Sequence, residues 1–444
     1  MNTPIYDFVQ NYINSDASRF HMPGHKGRAF LGCEERDITE IGGADVLYSP
    51  DGIIAESESN ATSLFGSAHS FYSTEGSSLA IRAMLALAKG TSDKAQPLIL
   101  AARNAHKTFI YACALLDLRV EWLCPETQNH VCGCDIPPHV LQKRLSEMTE
   151  KPDAVYITSP DYLGNLADIG GLAEVCDRHG IPLLVDNAHG AYLRFLPGSM
   201  HPLDLGATAC CDSAHKTLPV LTGGAYLHIA KKAPRAYTEN ARKCLSLFAS
   251  TSPSYLILQS LDLCNAYLNE NYRARLAACI HKTQSARAHA KKIGFATLDT
   301  EPLKIVFDAK KSGYRGDELA GLLKDQGIEC EMSDPDYLVL MVTPETRDSD
   351  FDRLARALEA IGTRATIESP TLQITPLNVI LTPRQAILAP SETVPLSKAV
   401  GRICAAPTVS CPPAVPIVMS GERITQAHVE QMAYYGHSSI EIIK

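Results

Sequence analysis

The chain has 444 residues, 45% of them hydrophobic and 20% charged, a formal net charge of −8 and 14 cysteines. That length predicts two or three domains of roughly 150 residues each with a substantial core, and the acidic balance argues against a nucleic-acid partner. No run reaches the roughly 20 apolar residues of a membrane helix, and the opening MNTPIYDFVQNYINS lacks the apolar centre of a signal peptide. A cytoplasmic protein is therefore expected, with reduced and mostly buried cysteines.

In chain order, residues 4–14 carry the pattern of a short amphipathic helix, and a Gly/Pro/His-rich loop follows at 21–27. A strand at 70–73 turns at Gly76 into an Ala- and Leu-rich helix. Free backbone N–H groups at such a start favour an anion, with Ser77 and Ser78 as added donors, although serine is also an ordinary N-cap. Strands at 97–101, 120–123 and 154–158 then alternate with helices at 107–116, 138–148 and 169–179. This is the alternation of a doubly wound, mostly parallel α/β sheet. From about residue 290 the pattern restarts, with strands at 304–308 and 337–342 and helices at 317–325 and 350–361, giving a smaller α/β carboxyl-terminal domain. The division expected is an amino-terminal segment at 1–50, a large domain at 51–290 and a small domain at 291–444, with a linker at 364–376 and a Pro-rich segment at 407–418.

Two strand ends carry the chemistry. The apolar run from Ile181 ends in Asp186, followed by Asn187-Ala188-His189-Gly190. A strand at 207–211 leads into Asp212-Ser213-Ala214-His215-Lys216-Thr217, then a Gly223-Gly224 turn and a strand at 225–229. Ligands of open α/β sheets bind outside the carboxyl ends of the strands. A lysine there with a lowered pKa can form a Schiff base with an aldehyde cofactor. Pyridoxal phosphate also needs an acid against its ring nitrogen, which Asp186 supplies. Thr251 to Tyr255 opens a long helix with Pro253 just inside its start, a further Thr/Ser pair suited to phosphate. The stretch His130-Val-Cys132-Gly-Cys134…His139 has neither the C-x₂-C spacing nor the second pair of a structural zinc site, so no metal is expected.

VDNAHGAY followed by SAHKTLPVLTGGAYLH resembles the ornithine/lysine/arginine decarboxylase family, as do FHMPGHKG at 20–27, DITE at 37–40, STSPSY at 250–255 and PPAVPIVMSGE at 412–422. These matches span nearly the whole chain in the family's order. The resemblance implies a pyridoxal-phosphate enzyme on the aspartate-aminotransferase-like fold that decarboxylates arginine, lysine or ornithine to a polyamine or its precursor. It implies that Lys216 carries the cofactor, Asp186 faces the ring nitrogen, His106 of Arg103-Asn-Ala-His-Lys-Thr108 stacks on the ring opposite Ala188, and His189 lies near the 3-hydroxyl. Gly76, Ser77, Ser78, Ser213 and His215 would hold the phosphate, with Thr251 or Ser252 reaching it from a neighbouring chain. The active sites would thus be shared within a homodimer or larger assembly.

The chain departs from the family at Asn187 and Tyr192, where DEAHGAH is usual, and at Ala414 and Ser420, where Gly and Pro are usual. It lacks the receiver-like wing of the larger inducible decarboxylases. An aminotransferase on the same fold uses the same lysine and acid and is the alternative reading, because fold alone does not set function. A non-catalytic cofactor-binding regulator is the remote one, since neither terminus carries a helix-turn-helix domain. Glu422 is one candidate acceptor for the substrate's distal cation.

Overall fold

A computed structural model of the protein describes residues 1–125, 130–368, 378–409 and 413–444. Strands β1 (His69–Ser73), β2 (Leu98–Ala102), β3 (Arg119–Leu123), β4 (Ala154–Thr158), β5 (Leu183–Asp186), β6 (Ala209–Asp212) and β7 (Ala225–Ile229) form one sheet in the order β1-β7-β6-β5-β4-β2-β3. The pairs β2–β3 and β5–β6 are parallel, whereas β7 runs antiparallel to both β6 and β1. Leu183, Leu184, Val185, Ala209, Cys210 and Cys211 are each at most 1% exposed. Strands buried on both faces have no polar side to alternate with, which is why these runs are apolar throughout. The α/β, mostly parallel sheet expected from the sequence is present.

The chain divides into two compact units, residues 1–93, 153–157 and 169–274 in one and residues 94–152, 158–168 and 275–444 in the other. The first contains both strand-end motifs. The second adds the antiparallel sheet of β8 (Lys304–Asp308), β9 (Met332–Ser333) and β10 (Tyr337–Met341), in the order β8-β10-β9. Phe295, Phe307, Leu319, Leu338 and Leu358 form its core. A separate pair, β11 (Ser391–Pro395) and β12 (Ser439–Ile443), buries Val394, Ile440 and Ile442 in a second cluster.

The helices Pro4–Asn14, Lys107–Leu116 and Ile169–His179 and strands β4, β7 and β8 have the bounds that the sequence pattern predicts. One expectation is corrected. Pro253 precedes the helix Tyr255–Asn269, because Ser254 is the N-cap and its hydroxyl accepts from the Ile257 N–H. Ala414 has φ +56°, a region that costs a Cβ-bearing residue about 1–2 kcal/mol. The expected linker and Pro-rich segment fall partly on residues 369–377 and 410–412, which lie outside the described residues.

Candidate functional site

The carboxyl ends of β5 and β6 are adjacent and in register, Asp186 opposite Cys211. Asp186 is 3% exposed. Its Oδ2 accepts from the Tyr156 hydroxyl at 3.2 Å, and its Oδ1 from the Ala188 N–H at 3.2 Å and the Cys211 thiol at 3.6 Å. A buried carboxylate needs such donors to persist, and these also fix the direction in which it points. Beyond β6 the chain makes one helical turn, Ala214–Thr217, with Ser213 as its N-cap. That turn carries Lys216, whose Nζ lies 3.0 Å from His189 Nε2. The turn that follows Asp186 and the turn that follows Asp212 thus deliver an imidazole and an amine to the same point.

The helix Gly76–Gly90 starts beside this pair of turns. Gly76 has φ +71°, which favours glycine, and its N–H donates to the Gly223 carbonyl at 2.7 Å, joining two of the sequence's turns. Ser213 Oγ donates to Ser77 Oγ at 2.8 Å. His215 is turned inward, with Nδ1 3.0 Å from the Gly224 carbonyl, and burial pushes its pKa down. Thr251 and Ser252 are exposed in this chain.

In the second unit His106 is the N-cap of the helix Lys107–Leu116. Its Nδ1 accepts from the Thr108 N–H at 3.1 Å. A ring nitrogen that accepts from an amide carries no proton, so the neutral ring bears its proton on Nε2. Glu422, the candidate acceptor for a distal cation, is already engaged. Arg103 Nη1 and Nη2 reach its two oxygens at 2.9 Å each, the Met419 N–H adds a bond at 2.8 Å, and Glu422 is fully buried. A bidentate guanidinium leaves little acceptor capacity for a second one, so Glu422 does not fit as the distal cation's partner. Breaking a buried pair strands the surviving charge, and Glu422→Ala is expected to cost about 3–5 kcal/mol, checked by urea unfolding. His130 of the cysteine-rich stretch is likewise taken, with Nε2 2.6 Å from Asp334 Oδ2.

Some contributors carry no motif. Tyr156 lies inside an apolar strand, where only a buried hydroxyl's need for a partner marks it as polar support. Asn187 and Asp212 are joined by an Nδ2–H···Oδ1 bond of 2.7 Å between neighbouring strand ends, a pairing visible only once β5 and β6 are placed side by side.

The chemistry of this donor set fits pyridoxal phosphate. An amine, a buried acid and an imidazole share one end of the sheet. The N-cap residue of the serine-rich helix start, Glu75, makes no side-chain capping bond, and an added Cβ at Gly76 would meet open space. A lysine and an acid on adjacent strand ends of an α/β sheet beside such a helix start define the class, a fold type I pyridoxal-phosphate-dependent enzyme. The model of the Orn/Lys/Arg decarboxylase major domain matches residues 3–306, and that of the family's C-terminal domain matches residues 365–439. The chain belongs to the Orn/Lys/Arg decarboxylase family and is a pyridoxal-phosphate-dependent amino-acid decarboxylase.

Among its relatives, the Bacillus subtilis protein YaaO, described as uncharacterized, is 30% identical over 98% of this chain and 94% of its own length. An arginine decarboxylase of the same organism is 29% identical over 96% of this chain and 92% of its own. Constitutive lysine decarboxylase of Escherichia coli shares the fold with a TM-score of 0.79 at 18% identity, covering all of this chain and 82% of that one. Among the described residues no helix is long and apolar enough to cross a membrane.

Proposed function

We propose that the chain removes the α-carboxylate of a basic amino acid, arginine, lysine or ornithine, giving an amine that is a polyamine or its precursor. The observation that carries this reading is the 3.0 Å approach of Lys216 Nζ to His189 Nε2, three residues beyond the buried Asp186, in a chain that matches a basic-amino-acid decarboxylase family almost end to end. The arginine decarboxylases of Bacillus subtilis and Bacillus anthracis, each 29% identical to this chain, support arginine as the first substrate to test.

When bound, the cofactor supplies an aldehyde to join amines and a protonated ring that draws electrons from the breaking bond. The chain's own residues do the rest. Lys216 would hold the aldehyde carbon and afterwards move a proton at its Nζ. Asp186, oriented by Tyr156, Cys211 and the Ala188 N–H, would keep the proton on the ring nitrogen. His189 would bond the cofactor's 3-hydroxyl, and the neutral ring of His106 and the small Ala188 would flank the cofactor plane. Gly76, Ser77, Ser78, Ser213 and the inward-turned His215 would form the phosphate cradle. Residues 51–290 would be the cofactor-binding body and 291–444 the smaller domain.

The site would be completed by Thr251 or Ser252 of a second copy. Exposure of these two, together with Phe20 at 96%, Met22 at 66%, Phe30 at 80% and Leu31 at 90%, supports a homodimer or larger assembly. So many large apolar side chains on one short stretch mark an interaction surface. The thirteen described cysteines are free and mostly buried, which supports a cytoplasmic location.

The test offers arginine, lysine, ornithine and acidic and neutral amino acids to the purified protein, with and without a keto acid. Carbon dioxide and the matching amine should appear in equal amounts from one or more of the three basic substrates, independent of keto acid. Keto-acid-dependent amino transfer without carbon dioxide would establish the aminotransferase reading instead. Sedimentation should find a dimer or larger, and an active monomer would refute the shared site.

A further inference from the structure

The carboxyl end of the sheet holds a second acid, Asp212, that none of the cofactor roles above uses. It is fully buried, as are His201 and His228. Its Oδ2 faces His201 Nε2 at 3.0 Å and His228 Nε2 at 3.2 Å, and its Oδ1 accepts from Asn187 Nδ2 at 2.7 Å. His228 passes the connection on, its Nδ1 lying 2.7 Å from Ser70 Oγ, which in turn lies 2.8 Å from Ser67 Oγ. His201, Cys210 and Asp212 bring atoms of metal-ligating type within 4.8 Å of one another. Two imidazole N–H groups directed at one carboxylate oxygen account for the arrangement as hydrogen bonds.

The positions of these groups give the cluster a purpose. The β5–β6 ladder ends where the Asn187 N–H donates to the Cys211 carbonyl at 3.0 Å. The side-chain bond from Asn187 to Asp212 is the next tie beyond it. Asp212 pairs with Tyr226 on β7, and His228 with Cys210, so one carboxylate joins the ends of β5, β6 and β7. Asn187 directly follows Asp186, and Asp212 directly precedes the Ser213–Lys216 turn. Neighbouring residues of a strand point to opposite faces, so this clamp lies on the face of the strand ends opposite to Asp186. Burial works to raise the Asp212 carboxyl pKa, but His201 and His228 pull it well below the usual carboxylate range, so the anion is kept.

We propose that Asp212 and Asn187 form a positioning clamp that sets Asp186 against Lys216 so that both meet the cofactor. The proposal rests on the reading that Asp186 and Lys216 hold pyridoxal phosphate. Misplacement of reacting groups by about 1 Å costs on the order of 10²-fold, and one charge-assisted side-chain bond across the strand ends resists that shift.

The test uses three variants of the full chain. Asn187→Asp sets two carboxylates face to face. Asn187→Asp combined with Asp212→Asn reverses the pair, since the new amide can donate to the new carboxylate while its oxygen still accepts from both histidines. Asn187→Ala removes the donor and adds no charge. The readouts are the dissociation constant for pyridoxal phosphate by equilibrium dialysis, the absorbance of the bound cofactor, kcat, and the melting temperature of the apo protein. Asn187→Asp and Asn187→Ala should bind the cofactor about tenfold more weakly or worse, and the reversed pair should recover most of the wild-type affinity, absorbance and kcat. If Asn187→Asp does not fold, recovery in the reversed pair against loss in Asn187→Ala carries the same meaning. Wild-type cofactor affinity and kcat in Asn187→Ala would overturn the proposal. So would a reversed pair that melts like wild type yet binds no better than Asn187→Ala. A wild-type protein that retains no cofactor on Lys216 would instead overturn the underlying site assignment, so the two failures are told apart.

Discussion

Lys216→Ala is expected to abolish turnover, lowering kcat by about 10³-fold or more, while leaving the fold intact. Two losses combine. The side chain that would hold the cofactor disappears, and so does the amine 3.0 Å from His189 Nε2 that would move a proton. Positioned proton transfer alone contributes about 10²–10⁴-fold. Lys216 sits on a single helical turn, and alanine is a good helix former, so Ala214–Thr217 has no reason to unwind. Steady-state assay and a thermal melt together check this. A variant with wild-type turnover would remove Lys216 from the chemistry, and an unfolded one would show that it serves the fold.

Asp186→Asn is expected to lower kcat by about 10- to 150-fold, with a smaller change in cofactor affinity. Hydrogen bonds to a charged partner are worth about 1.5–3 kcal/mol, which is about 10–150-fold in rate when lost in the transition state. Asparagine can still accept from Tyr156 or the Ala188 N–H but cannot keep a ring nitrogen protonated by charge, so the electron sink weakens. Asp186 is nearly fully buried, so the exchange preserves volume and the effect is electrostatic. The check is kcat together with the cofactor's absorbance, which reports ring protonation. An Asp186→Asn protein within threefold of wild type would contradict the assigned role.

The acid and the lysine were legible because each ends an apolar run, and a run without alternation implies a strand buried on both faces. Gly76 was legible for a similar local reason, as the joint between a strand and a helix. Asp212 was not, although it stands four residues before Lys216. Its partners His201 and His228 come from a turn and from an antiparallel strand, and only the sheet order brings them together. Glu422 illustrates the converse error. A glutamate after glycine is one candidate acceptor on sequence alone, while its partner Arg103 lies 319 residues earlier. The helices Ile53–Phe65 and Tyr272–Lys292 are not legible in the sequence either, since neither has a clean apolar stripe and their stability comes from tertiary packing.

The most direct measurement is reductive trapping. Purified protein loaded with pyridoxal phosphate is treated with borohydride and digested, and the modified peptide is identified by mass spectrometry. One reduced pyridoxyl group is expected on Lys216, with loss of the cofactor's visible absorbance and loss of carbon dioxide release from basic amino acids in proportion to the label. A label on Lys26 or Lys107 with Lys216 unmodified, or full activity after complete reduction, would contradict it.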